Sequence, residues 1–379
     1  MTTRVTLAAK ALPLALACLM LAACRPSVPD TGPAAEVHAP EDPGAPGWVA
    51  TLDAAARAID DAMPGDFGVY VRRLGAGPPV DGAGSLDRGD DRAWYLSSTI
   101  KVPVAIAVLE EVDAGRLSLE QSLTLAETDF VDGAGDMLQH DPGDRFTVAE
   151  LLEKSLVDSD STATDMLIRL VGEDHLNARV RAWAGTGFGP MTTILQVRYD
   201  AYGTAHAGVA DLSNRDILAL RNADVGEPRL VALAERLGVS RTDLDADNLD
   251  EVFARYYDTG RNAATLEAFA VLLERLVTGD LLSPESTAIV LGHMRSISTG
   301  DRRIQAGLPR GADFAQKTGT QFARACNVGV IDADRGADGA VIVAACAEDY
   351  DDIAEAEQAF EALGRALDEA GLVGGDASS

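Results

Sequence analysis

Leu96-Ser97-Ser98-Thr99-Ile100-Lys101-Val102-Pro103 opens a run, 99 to 113, whose apolar residues recur at helical spacing. On a helix, residues three apart share a face, so the Ser98 hydroxyl can meet the Lys101 amine. That pairing turns a weak hydroxyl into a nucleophile, and a serine in a first helical turn has the positive end of the helix dipole to support a developing oxyanion. Lysine usage sharpens the reading. Of 32 basic residues only four are lysine: Lys10, Lys101, Lys154 and Lys317. An arginine cannot lose its proton inside a protein, whereas a buried lysine can, so the retained lysines are candidates for proton chemistry.

Further along, Lys317-Thr318-Gly319-Thr320 follows Asp313-Phe314-Ala315-Gln316, which reads as a strand. A glycine there clears space for a substrate backbone against the strand edge. Between the two lysine motifs, Ser159-Asp160-Ser161 interrupts two amphipathic helical stretches, 148–157 and 162–171. A serine at such a break serves as a proton shuttle if it reaches both the nucleophile and Lys317, although Ser and Asp also favour ordinary turns.

Ser-x-x-Lys, a Ser-Asp-Asn-like triplet and Lys-Thr-Gly, in that order, resemble the motif set of class A β-lactamases and penicillin-binding proteins. The likeness runs from about Trp48 to Gly371 and includes Leu151-Leu152, Asp258-Thr259, and Thr299-Gly300-Asp301-Arg302-Arg303-Ile304 ahead of Ala306-Gly307-Leu308-Pro309. The resemblance implies Ser98 as the acylated nucleophile, Lys101 as its activator and Ser159 as the relay to the leaving nitrogen. It implies an oxyanion hole from the backbone N–H groups of Ser98 and Thr320. Lys317, Thr318, Gly319, Thr320 and Arg303 would hold the substrate carboxylate, with no cofactor and no metal.

Two departures stand out. The triplet ends in Ser161 where the family has an asparagine that contacts the substrate acylamino group, and a hydroxyl is shorter. The glutamate that activates the deacylating water in family β-lactamases is missing. Glu173-Asp174-His175-Leu176-Asn177 imitates its pattern but comes too soon after Ser159. At the expected distance, Arg198 and Asp200 in Val197-Arg198-Tyr199-Asp200-Ala201-Tyr202 fit best, which makes Asp200 the candidate base. The competing readings are an ion pair of Asp200 with Arg198, and a shifted register that places Tyr202 there.

Trp48, Leu52, Ala56, Ile59 and Met63 recur at helical spacing ahead of an alternating Phe67, Val69 and Val71, and Ile353, Ala356, Phe360, Leu363 and Leu367 form a second helical stripe near the other end. Helical periodicity fills the middle at 99–113, 148–157, 162–171, 215–221, 263–277 and 284–294. An α/β (α+β) architecture follows: a discontinuous antiparallel sheet flanked by N- and C-terminal helices, about 48–96 and 296–372, with an inserted all-α domain, about 97–295. The resemblance gives that architecture the β-lactamase/transpeptidase-like form. The stretch 205–255, rich in acids such as Asp243, Asp245 and Asp247, reads as a solvated acidic insertion. Cys326 and Cys346 lie in apolar runs flanking Asp334–Gly339 and would face each other across a hairpin, as a disulfide or as two buried thiols.

Residues 1–23 carry Arg4 and Lys10, no acid, and an apolar run closing on Leu21-Ala22-Ala23-Cys24. They read as an export signal of lipoprotein type, cut before an acylated Cys24, or as a plain secretory signal cut after Ala23. A Pro-rich tether, 24–47, follows. The expected location is the bacterial cell envelope, on the periplasmic side, with Cys24 in a lipid bilayer. Sixty acids against 32 basic residues, a formal charge of −28, repel nucleic acid. No His spacing suits a metal, and a monomer is expected. Three functions fit: a β-lactam-hydrolysing serine enzyme, a D-Ala-D-Ala peptidase trapped by β-lactams, and a non-catalytic envelope lipoprotein on the same scaffold. The four intact residues Ser98, Lys101, Ser159 and Lys317 argue against the third.

Overall fold

The structure, a computed structural model, describes residues 47–75, 84–89 and 92–374. The expected signal, Cys24 and the tether before Gly47 lie outside them. In chain order the elements begin with α1 (Gly47–Ala62), β1 (Asp66–Arg73), β2 (Ser85–Asp87) and β3 (Trp94–Tyr95). A 3₁₀ turn, Ser97–Ile100, leads into α2 (Lys101–Asp113). Next come β4 (Ser122–Thr124), β5 (Arg145–Thr147), α3 (Val148–Leu156), α4 (Ser161–Val171), α5 (Glu173–Ala184), α6 (Ile194–Gly203), α7 (Asn214–Ala219), α8 (Glu227–Leu237) and α9 (Leu249–Tyr257). The chain closes with β6 (Ala263–Ala264), α10 (Leu266–Val277), α11 (Pro284–Arg295), α12 (Ile304–Gly307), β7 (Phe314–Gln321), β8 (Arg324–Ile331), β9 (Val341–Glu348) and α13 (Ile353–Glu369).

Five strands form one antiparallel sheet in the order β2-β1-β9-β8-β7. Alternation along each strand sends side chains to two cores. Phe67, Val69 and Val71 of β1 and Val343, Ala345 and Ala347 of β9 pack with Leu52, Ala56 and Ile59 of α1 and with Phe360, Leu363 and Leu367 of α13. The opposite face, with Tyr70, Val328, Val330, Ile342 and Ala344, packs on α10 and the helical body. Every residue of α2 from Lys101 to Leu109 is buried, as a helix surrounded on all sides requires. Each fully buried Val, Leu or Ile there contributes about 1.5–3 kcal/mol of burial.

Local chemistry sets the helix starts. Thr147 caps α3, and Glu150 reaches back to the Thr147 N–H at 2.7 Å. Ser283 caps α11 ahead of Pro284 at the first helical position. Cys326 and Cys346 are directly opposed on β8 and β9 and joined by a disulfide.

One expectation is corrected. The acid-rich 205–255 stretch is no mere solvated surface. It folds as α7, α8 and α9 with a core of its own, in which Leu230, Leu233, Leu249, Val252 and Phe253 pack against Val197, Ala201 and Tyr202 of α6. The acids sit on the outer faces and at caps, as where Asp216 accepts the Ser213 N–H at the start of α7.

Candidate active site

Ser98 lies in the 3₁₀ turn between β3 and α2, and Lys101 is the first residue of α2. Residues three apart eclipse in 3₁₀ geometry, so the two side chains stay on one face. The turn is entered through Ser97, whose φ of 49° is unusual for a non-glycine residue and whose buried hydroxyl has no partner. Lys101 is fully buried. Its Nζ donates to the Ser159 carbonyl and to Ser159 Oγ at 3.2 Å. Lys317, also fully buried, donates to Ser159 Oγ at 2.9 Å and to the Thr318 carbonyl at 3.0 Å. Ser159 has a φ of 57°, and Asp160 beside it caps α4 through the Ala163 N–H at 2.9 Å and also takes the Met137 N–H at 2.9 Å.

Two lysines on one hydroxyl in a dry site cannot both stay charged without penalty. Burial pulls Lys101 down to about 7, with Asp160 and Asp165 opposing and Arg198 assisting. Burial, then the nearby Lys101 and Arg303, push Lys317 well below the usual lysine value. The half-buried Ser98 lines a cleft of about 380 Å³ shared with Ser159, Ser161, Thr318, Gly319 and Thr320. Among the described residues its hydroxyl makes no hydrogen bond. The direct Ser98–Lys101 bond expected from spacing is not formed, because the Ser159 carbonyl and hydroxyl both face the amine.

Gly319 explains how β7 meets the nucleophile. A Cβ at this position would stand 2.6 Å from the Leu96 carbonyl oxygen and 2.8 Å from the Ser98 nitrogen. Only a bare strand edge passes so close to the Ser98 N–H, and it carries Thr320 alongside. Beneath it, Arg303 is 5% exposed and donates to the carbonyls of Gly319 at 2.9 Å and Cys326 at 2.8 Å, and to Thr320 Oγ1 at 2.5 Å. Arg303 lines the cleft, yet these bonds make it a brace for the end of β7 rather than a free carboxylate ligand. Thr318 Oγ1 shares a 2.6 Å hydrogen bond with Thr299 Oγ1. The exposed Arg302 pairs with Glu357 at 3.3 Å on the cleft rim.

Asp200 is not brought to the cleft. On α6, Ile194, Val197 and Arg198 face the cleft, and Ala201, on the same side, is fully buried. Asp200 is two residues past Arg198, about 200° around the helix. Its carboxylate accepts from Gln196 Nε2 at 2.7 Å and pairs with Arg261. The expected ion pair with Arg198 is absent too, since Arg198 Nε pairs with Asp132 Oδ1 at 2.6 Å. Tyr202, the shifted-register choice, is buried against Phe253. Glu173 starts α5 and accepts the Thr193 N–H at 3.0 Å, outside the cleft lining.

Sequence reasoning missed Asp165. This residue is buried on α4 and accepts the Ile194 and Leu195 N–H groups at 2.7 and 2.8 Å, which ties the start of α6 to α4. Burial raises its carboxyl to about 7 against those hydrogen bonds and against Lys101 and Arg198. An acid four residues after Ser161, amid the apolar positions of that helix, was the available signal.

Comparison with known proteins places this geometry. A curated β-lactamase of Mycobacterium tuberculosis is 24% identical over 264 residues, 69% of either chain. The Pseudomonas aeruginosa β-lactamase VEB-1 is 29% identical over 90 residues, 23% of this chain and 30% of that protein. Among solved structures, a β-lactamase from Xanthomonas campestris superposes with a TM-score of 0.62 at 22% identity, covering 86% of this chain and 98% of that one. A point mutant of PBP-A, solved as its acyl-enzyme complex with penicillin G, gives 0.59 at 22%, covering 85% and 96%. The model of the beta-lactamase enzyme family matches residues 51–370, and the chain belongs to that family.

Proposed function

We propose that this protein is a serine enzyme that opens β-lactams through an acyl-enzyme on Ser98. One observation carries the reading: the Ser159 hydroxyl is bracketed by the amines of Lys101 and Lys317 at 3.2 and 2.9 Å, on the cleft that holds Ser98. Ser98 Oγ attacks the lactam carbonyl carbon and its proton passes to neutral Lys101. The tetrahedral oxyanion lies against the N–H groups of Ser98 and Thr320, donors typically worth about 3 kcal/mol each. Ser159 delivers the proton to the ring nitrogen as the C–N bond breaks, and takes one in turn from Lys101. The products are an ester on Ser98 and the free amine of the opened ring. Water then cleaves the ester in a hydrolytic enzyme.

A second reading has its own support. Among the described cleft-lining residues the carboxylates are Asp301 and Glu357, on the Arg302 side, and α6 contributes none. A cleft lacking a carboxylate beside the ester suits a D-Ala-D-Ala peptidase that β-lactams acylate and do not leave. Both readings place the protein in the envelope, anchored through Cys24, a proposal that rests on the leader sequence.

Purified protein mixed with a chromogenic cephalosporin and, separately, a fluorescent penicillin tests both. Sustained turnover abolished by Ser98→Ala supports hydrolysis. One equivalent of lasting label on Ser98 supports the peptidase. The absence of both signals overturns acylation at Ser98.

A further inference from the structure

Arg198 differs from those arginines of this protein that grip a carboxylate with two nitrogens. Arg169 grips Asp129 with Nε and a terminal nitrogen at 2.9 and 2.8 Å, and Arg295 grips Asp313 the same way at 2.7 and 2.8 Å. Arg179 and Arg116 hold Glu110 and Glu111 with the same two-pronged geometry. Such bidentate pairing is what the planar guanidinium favours when its task is structural. Arg198 instead gives Asp132 its Nε alone, at 2.6 Å. Among the described residues its two terminal nitrogens have no hydrogen-bond partner. The side chain is only 12% exposed, and Arg198 is among the residues that line the Ser98 cleft. A guanidinium with both terminal nitrogens free of protein hydrogen bonds can take a second anion in the two-pronged geometry it favours.

The position in the cleft says which part of a substrate that anion belongs to. Thr318, Gly319 and Thr320 line the β7 wall, with Lys317 buried behind it, where the ring carboxylate of a β-lactam is expected. Arg198 rises from α6, beside Ile194 and Val197, and shares the cleft with Ser161, Gly133 and Ala134. Ser161 stands where an amide would contact the acylamino group. Gly133 lies so close that a Cβ there would come within 2.2 Å of Ser161 Oγ, so that wall is packed from both sides and the guanidinium supplies its charge. We infer that Arg198 selects substrates whose acyl side chain carries a second carboxylate, so that the preferred ligand is dianionic, with one charge at each end of the bond Ser98 attacks. The inference rests on the acylation reading above. Overall charge of −28 works against any anion at long range, but ionic screening limits that repulsion to roughly 8 Å, and inside the cleft the adjacent guanidinium dominates.

α-Carboxybenzylpenicillin and benzylpenicillin differ by the one carboxylate at issue. Their second-order rates of Ser98 acylation, measured by intact mass or by competition with a fluorescent penicillin, give a preference ratio. In Arg198→Gln the ratio falls on the order of tenfold, the scale of one charge-assisted hydrogen bond, and Arg198→Lys recovers part of it. Asp132→Asn removes the competing anion and raises the ratio, which keeps the test decisive should Arg198→Gln fail to fold. A ratio unmoved by either substitution, with benzylpenicillin still labelling Ser98, overturns the inference and leaves the acylation reading intact. Failure of the unaltered protein either to be labelled by these penicillins or to turn them over overturns the acylation reading and this inference with it.

Discussion

The side of the cleft built from β7, the start of α4 and the 3₁₀ turn leading into α2 differs sharply from the α6 wall. On the former, two fully buried lysines converge on Ser159, two serines hold positive φ, and Gly319 admits the strand edge to the Ser98 nitrogen. On the latter stand Ile194, Val197 and Arg198, with Asp200 turned away. Strain and buried charge persist only where surrounding structure holds them in place. On the proposed acylation reading, the contrast teaches that the groups suited to forming an ester and a group suited to removing it would come from separate parts of this fold, and that α6 turns no carboxylate toward the cleft.

Four measurements break or sharpen this contrast. Gly319→Ala places a methyl against Leu96 and Ser98 backbone atoms; acylation falls by on the order of 100-fold, read as penicillin labelling rate, since a shift of about 1 Å at reacting groups has that effect. A merely twofold loss would mean that β7 does not define the oxyanion site. The pH dependence comes next. Lys101, held down near 7, is the base form above that value, so acylation loses about tenfold for each pH unit below it, whereas the rate of ester loss follows no such limb. A flat acylation profile from pH 5 to 8 would remove Lys101 from the proton path.

Ile194→Glu adds a carboxylate to the cleft side of α6, at its first turn, where the helix dipole supports negative charge by about 0.3–1 kcal/mol. The acyl-enzyme lifetime shortens by roughly tenfold, followed by mass spectrometry, at the low end of general-base effects. The smallest effect belongs to Asp200→Asn: acyl-enzyme lifetime changes less than about twofold and stability by at most about 1 kcal/mol, as for a partly exposed ion pair.

Much of this was legible in the chain. The scarcity of lysine isolated Lys101 and Lys317, and both are buried against Ser159. Helices at 148–157, 162–171 and 284–294 match α3, α4 and α11 within a residue or two at each end, because their apolar stripes face large cores. The phase of α6 was not legible. Counting from motifs put Asp200 near the water-activating position, but the helical rotation fixed by Val197 and Ala201 in the core turned it away. Helices α8 and α9 escaped notice because few buried residues, such as Leu230 and Leu233, are interleaved with exposed acids. The Ser159 carbonyl as a lysine partner was also beyond sequence, since it depends on a single backbone angle.

The strand order β2-β1-β9-β8-β7 has a consequence for assembly. β9 is the keystone, flanked by β1 on one edge and β8 on the other, and it is the last strand to be made. Before it arrives, β1 with β2 and β7 with β8 are separate ribbons, and isolated two-stranded ribbons are marginal in water. The cleft around Ser98 therefore does not take shape gradually as the polypeptide lengthens; it forms in one cooperative event when β9 locks both ribbons together.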